Sequence, residues 1–334
     1  ITSRSQYWLD NPLILDTFTV EEAMAFVKKH LPNERENAIF CLINTLHYFP
    51  LALGQAVAYI KAHTNIDDYL ELYKKQKKNH LDLFIGEKNQ YTESLWKTWQ
   101  ISIDKLSNTA RELLFMSAYL DADNIPFDFF TNLSIEERVN AIKELRKYSF
   151  ITLVNNKAFK IHRLLQEVIR LSGQINNKYQ ISFPTKVFTT DNFWLTKTLQ
   201  LLQTKFDFDY LRPEMWKDYS NYLSHTQIIA NYAMQNSGNI FQQGINLYIK
   251  YAMFLLYIQY DPLEAIEAWN KIAPLVQQHY QGRGIKYILA NIYSHLSNAL
   301  SWAKKHDEAR ELLNSKVLPI YYQNYQKAFT IFYL

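Results

Sequence analysis

Phe150-Ile151-Thr152-Leu153-Val154, Asn155-Asn156 and Lys157-Ala158-Phe159-Lys160-Ile161 form the stretch on which the fold reading turns. Two runs rich in β-branched and aromatic residues flank a pair of asparagines. Asn tolerates the positive φ that a tight turn demands, so the expectation is a β-hairpin. His162 then begins a helix reaching about Leu171. Upstream, helical spacing marks segments at about 92–104 and 108–118, leading to Asn124-Ile125-Pro126. Ser134-Ile135-Glu136-Glu137 is a capping box opening a helix that ends near Tyr148. Helices followed by a hairpin and a further helix suggest a winged helix over 91–172.

Toward the N-terminus, Ile1-Thr2-Ser3-Arg4 reads as the end of a strand. Thr19-Val20-Glu21-Glu22 is a second capping box, with Ala23, Phe26 and Val27 following at helical spacing until Pro32. Glu36 to Tyr48 places Ile39, Leu42, Ile43 and Leu46 on one helix face, and Pro50 breaks the run. Leu51 to Ala62 is apolar almost all round and is expected to be buried. Asn65-Ile66-Asp67-Asp68 caps a fourth helix. Residues 1–90 thus read as the end of a preceding domain followed by a helical domain.

Toward the C-terminus, 173–184 is polar and weakly periodic, a candidate linker. Within 185–334, Asp261-Pro262-Leu263-Glu264-Ala265 and His306-Asp307-Glu308-Ala309 each open a helix, and the two alanines lie 44 positions apart. Each follows a longer aromatic-rich helix. A helix pair repeated at this period reads as a tetratricopeptide-like solenoid, with a small residue where paired helices approach. The expected fold class is therefore mainly α: a helical domain, a winged helix with one β-hairpin, then an α-solenoid.

Composition narrows the chemistry. The 334 residues contain only 7 glycines and one cysteine, with a net charge of +4. Few glycines disfavour phosphate-cradling loops, and no Gly-x-x-x-x-Gly-Lys-[Ser/Thr] occurs, so this chain alone is not expected to hydrolyse ATP. No His-Glu-x-x-His or Gly-x-Ser-x-Gly is present. The nine histidines are scattered and no metal site is expected. Lys74-Lys75-Gln76-Lys77-Lys78 is surrounded by Asp67, Asp68, Glu71 and Asp82, which describes a solvated helix face rather than a nucleic-acid track. The mixed charges on 134–148 point the same way. No segment has the ~20 apolar residues of a membrane span. Cys41, between Phe40 and Leu42, is expected as a buried small hydrophobe in a cytoplasmic or other reducing compartment, with secretion into a host cell left open.

Several short motifs, in order, resemble the NB-ARC class of signalling ATPases. Ile1-Thr2-Ser3-Arg4 resembles the strand end carrying that family's nucleotide-sensing arginine. His47-Tyr48-Phe49-Pro50-Leu51-Ala52-Leu53 resembles its Gly-Leu-Pro-Leu motif, with Tyr48 where the family has Gly. Ile161-His162-Arg163-Leu164 resembles its Met-His-Asp motif, with Arg163 for the Asp. Arg212–Ala230, especially Trp216, Tyr219, Leu223 and His225, resembles the first helices of the tetratricopeptide arrays fused to such modules.

The resemblance implies a set of roles. Arg4 would read the terminal phosphate, with the Thr2 and Ser3 hydroxyls nearby; a guanidinium fork suits that anion. Pro50 would pack on adenine. His162 would contact the β-phosphate of ADP. The cofactor implied is ADP or ATP, with Mg2+ when a P-loop domain, expected upstream of Ile1, is present. A protein partner would bind the concave face of the repeats, and activation would bring self-association. Two rivals remain: a nucleotide-independent interaction scaffold, and the regulatory tail of an upstream effector or enzyme domain. Tyr48 and Arg163 favour the scaffold.

Overall fold

The computed structural model describes residues 17–75, 90–170, 192–208, 216–279 and 284–322. They fall into two compact units. The first holds 17–75, 90–114, 135–152 and 161–170. The second holds 115–134, 153–160, 192–208, 216–279 and 284–322. The chain is mainly α.

In the first unit, α1 (Val20–His30), α2 (Glu36–Thr45), α3 (Pro50–His63) and α4 (Ile66–Lys75) form a helical cluster. The capping box at α1 is made as its sequence requires. Thr19 Oγ1 accepts from the Glu22 N–H at 3.2 Å, and Glu22 Oε2 accepts from the Thr19 N–H at 2.9 Å. Asn65 Oδ1 accepts from the Asp68 N–H at 2.9 Å and so caps α4. Ala23 and Val27 of α1 join Ile39, Leu42, Ile43 and Leu46 in the core, with Ala52, Leu53 and Ala56 of α3. Helix α3 buries residues around its circumference, as its apolar composition predicts.

Cys41 departs from expectation: it is exposed, as is Phe40. The inward face of α2 is already filled by Ala38, Ile39, Leu42 and Ile43. At 3.6 residues per turn, positions 40 and 41 fall on the opposite side.

Helices α5 (Gln90–Ile103) and α6 (Asn108–Ser117) follow. Ser107 Oγ accepts from the Ala110 N–H at 3.2 Å, capping α6, and Glu144 holds the Ser107 amide at 2.8 Å. Buried Arg111 donates to the Leu106 carbonyl at 2.9 Å and the Ile103 carbonyl at 3.3 Å, satisfying acceptors that the end of α5 leaves open.

The sheet is small. Strands β1 (Ile125–Pro126), β2 (Ile151–Asn155) and β3 (Ala158–Ile161) have the order β1-β3-β2, with α7 (Ile135–Lys147) between β1 and β2 and α8 (163–170) after β3. β1 and β3 are antiparallel, Ile125 facing Phe159. The hairpin is present, but its turn differs in mechanism from the expectation. Neither Asn155 nor Asn156 is among the described residues with positive φ. Instead the Asn155 side chain accepts from the Lys157 N–H at 2.8 Å, a side-chain mimic of a backbone turn.

The second unit is a tetratricopeptide-like stack: α9 (Phe193–Lys205), α10 (Trp216–Ser220), α11 (Leu223–Met234), α12 (Gly238–Tyr257), α13 (Pro262–His279), α14 (Ile285–Trp302) and α15 (His306–Leu312). A π-helical turn, Leu313–Val317, continues α15. From α11 on, each helix packs on its neighbours in the chain, as expected of a solenoid. Ala265 and Ala309, the repeated small residues, are both buried. Helices α11 and α12 approach closely at Gly244 of α12, where an added Cβ would lie 2.7 Å from Ala233 Cβ and 3.0 Å from the Met234 backbone nitrogen. Trp269, Phe254 and Phe206 fill the interior. No helix among the described residues is long and apolar enough to cross a membrane.

Candidate functional site

Thr2, Ser3 and Arg4 lie outside the described residues. Pro50 and His162 are described, and both belong to the first unit.

Pro50 occupies the first turn of α3, half-buried, where its missing N–H costs no intrahelical bond. The loop that delivers it is tightly wound. His47 and Tyr48 have φ of 51° and 58°, both in the left-handed region. The Tyr48 N–H bonds the Ile43 carbonyl at 3.0 Å and the His47 N–H bonds the Asn44 carbonyl at 3.2 Å, closing α2. The Tyr48 carbonyl accepts from the Phe18 N–H at 3.0 Å, and its hydroxyl bonds Asn44 Oδ1. Tyr48 stands where the resembling motif has glycine, and its backbone takes the conformation that glycine adopts without strain.

His162 sits between β3 and α8 and is exposed. Its carbonyl accepts from the Gln166 N–H, and its ring Nδ1 accepts from the Leu164 N–H, both at 3.2 Å. The ring therefore works as a helix N-cap. With Nδ1 accepting, a neutral imidazole there has its proton on Nε2. Arg163 follows, exposed, at the first residue of α8.

Two polar links join α3 to the end of α7. Gln55 Nε2 donates to the Ser149 carbonyl at 2.6 Å, and His63 Nε2 meets the Tyr148 hydroxyl at 2.6 Å. The His63 and Tyr148 rings lie 11° from parallel, with centroids 5.4 Å apart. Desolvation of the covered ring, then the ammonium groups of Lys147 and Lys105, lower the His63 pKa. Position 55 is separated from 149 by 94 residues, so no local pattern reveals this pairing.

In the second unit, Tyr219 and His225, singled out by resemblance, are core residues. His225 is 1% exposed, and its Nδ1 accepts from the Asp121 N–H at 3.1 Å. Burial lowers its pKa, opposed by Asp121 and by a hydrogen bond with the Asn124 backbone. The Tyr222 hydroxyl donates to Asp128 at 3.0 Å; burial, and then that carboxylate, raise its pKa. The Tyr219 hydroxyl donates to the Asp207 carbonyl at 2.8 Å. These groups position helices. No group of three or more His, Cys, Asp or Glu among the described residues could hold a metal ion.

No family model matches the chain, and no curated protein matches it. Among solved structures it is similar to a Signal Transduction ATPase with Numerous Domains bearing a tetratricopeptide repeat sensor, from Pyrococcus horikoshii. The TM-score is 0.36 and the identity 13%, over 90% of this chain. The chain spans 42% of the length of that protein.

Proposed function

We propose that this chain is the switch-and-sensor portion of a nucleotide-coupled signalling ATPase of the NB-ARC type. The observation that carries the reading is the placement of His162. It lies at the junction of a hairpin with a helix, its ring caps that helix, and the junction follows a helical cluster containing Pro50 and precedes a helical stack. On this reading 1–90 completes the nucleotide-binding region and its helical domain, 91–172 is a winged helix, 173–184 a linker and 185–334 the sensor.

The residue types suit ADP. Pro50 offers a half-buried ring with no N–H, suited to a flat base. His162 offers an imidazole N–H at a helix start, where an anion is favoured. Arg4, with Thr2 and Ser3, would read the added phosphate of ATP. When bound, the nucleotide supplies a charged bridge that holds the parts in one arrangement. A protein bound to the concave face of the repeats shifts the balance only if it prefers the other arrangement. Self-association then follows from the newly exposed surface.

The test uses the complete natural protein, purified without added nucleotide, denatured and chromatographed. The reading expects stoichiometric ADP, and His162→Ala weakening ADP binding by about tenfold or more, the scale of one charge-assisted hydrogen bond. No released nucleotide, together with no uptake of added ADP or ATP, refutes the switch. It then favours the second reading, a nucleotide-independent scaffold, toward which Arg163 in place of the family's Asp already points.

A further inference from the structure

The first unit contains a cavity that the nucleotide reading does not use. Helices α1 and α3 and the end of α7 border a cavity of about 480 Å3 that is open to solvent, its volume within the range of small-molecule sites. Phe26, Gly54 and Val57 supply apolar wall, and His30, Lys61 and Lys147 supply nitrogen. Val57 is buried, whereas Lys61 and Lys147 are exposed, so the apolar part lies deeper than the cationic part. Among the described residues, no carboxylate lines the cavity and neither lysine has an acidic partner. The Lys147 ammonium rests 5.7 Å from the centre of the Tyr148 ring.

Gly54 in that wall also bears on the cavity. It lies inside α3, where glycine costs about 1 kcal/mol relative to alanine. At Gly244 that cost is offset by helices that leave no room for a methyl group. At Gly54 an added Cβ would meet nothing within 4 Å. Packing does not require glycine there; its effect is to leave the cavity wall open.

We propose that this cavity is a binding site for a small organic anion: a compact, flat apolar body carrying one phosphate or similar acidic group. The body stacks against Phe26 and fills the space over Gly54 and Val57, while the acid lies between Lys61 and Lys147. Ser149 also lines the cavity, and its carbonyl receives Gln55 of α3. The site does not include Pro50 or His162 and stands or falls apart from the nucleotide reading.

The test is isothermal titration of the full chain with 1-naphthyl phosphate and with its neutral counterpart 1-naphthol. Expected is 1:1 binding of the phosphate, with 1-naphthol at least about tenfold weaker. The same loss is expected for the phosphate in the Lys61→Gln/Lys147→Gln double variant, since two partly exposed charge contacts sum to about that factor. Gly54→Phe should abolish binding of both probes, and His162→Ala should leave both unchanged. Both lysines are solvent-facing, so the double variant folds and decides the matter even if Gly54→Phe does not fold. No binding at millimolar probe, equal affinity for phosphate and alcohol, undiminished affinity in the double variant, or loss on His162→Ala would each overturn the assignment.

Discussion

Replacing glycine by alanine in two helices of this protein should have opposite effects. In α12, the Cβ added by Gly244→Ala would sit 2.7 Å from Ala233 Cβ, 3.0 Å from the Met234 nitrogen and 3.2 Å from the Ala230 carbonyl oxygen. Carbon pairs rest at about 3.5–4.0 Å, so the methyl overlaps Ala233 by roughly 1 Å. None of the three opposing atoms can swing away, because one is a Cβ and two are backbone; the helices α11 and α12 must separate. Overpacking of this kind costs about 1–3 kcal/mol, and the rigidity of the contact places it in the upper half. Alanine recovers about 1 kcal/mol of helix propensity. The net expectation is a loss of about 1–2 kcal/mol. For Gly54→Ala in α3 only the favourable part remains, a gain of about 0.5–1 kcal/mol. The assay is urea unfolding followed by circular dichroism, with amide exchange in α3 and in α11–α12 to assign each effect to its own unit. If Gly244→Ala stabilises the protein as Gly54→Ala does, the close approach of α11 and α12 is wrong, and so is the reason given for a glycine there.

Acid should weaken the second unit. Burial lowers the pKa of His225 and of His295, whose Nδ1 meets the Tyr257 hydroxyl at 2.8 Å. The unfolded chain, with His near its ordinary value of about 6.5, then binds more protons than the folded one, so stability rises with pH. The contribution is complete above about pH 6.5 and is lost as pH falls through the lowered folded values. The urea midpoint should therefore drop between pH 7.5 and 5.5, and His225→Gln should lower the midpoint at pH 7.5 while flattening that dependence; an unchanged slope would remove His225 from the explanation. Cys41 is exposed on α2, so a maleimide should modify the native protein fully and without unfolding. Protection until denaturant is added would restore the buried cysteine that the sequence suggested.

The chain's local chemistry could be read directly. Thr19 with Glu22, and Asn65 before Asp68, meet their helices within three residues, and both caps form as written. The period of Ile39, Leu42, Ile43 and Leu46 announces a buried stripe, and the two β-rich runs around Asn155 announce a hairpin. Pro50 at a helix start and His162 between strand and helix belong to the same class: their immediate neighbours define them. What the sequence left open depends on partners far along the chain. Whether Cys41 is covered depends on what packs against α2, not on its apolar neighbours. His225 meets Asp121 across 104 residues. Gly54 and Gly244 are alike in any helix propensity scale and differ only in whether another helix lies within reach. The cavity under Lys61 and Lys147 exists because α1, α3 and α7 converge without filling the space between them. Backbone hydrogen bonding and helical period act over a few residues and are encoded there; burial, close approach and empty volume are properties of converging surfaces, and only the tertiary structure decides them.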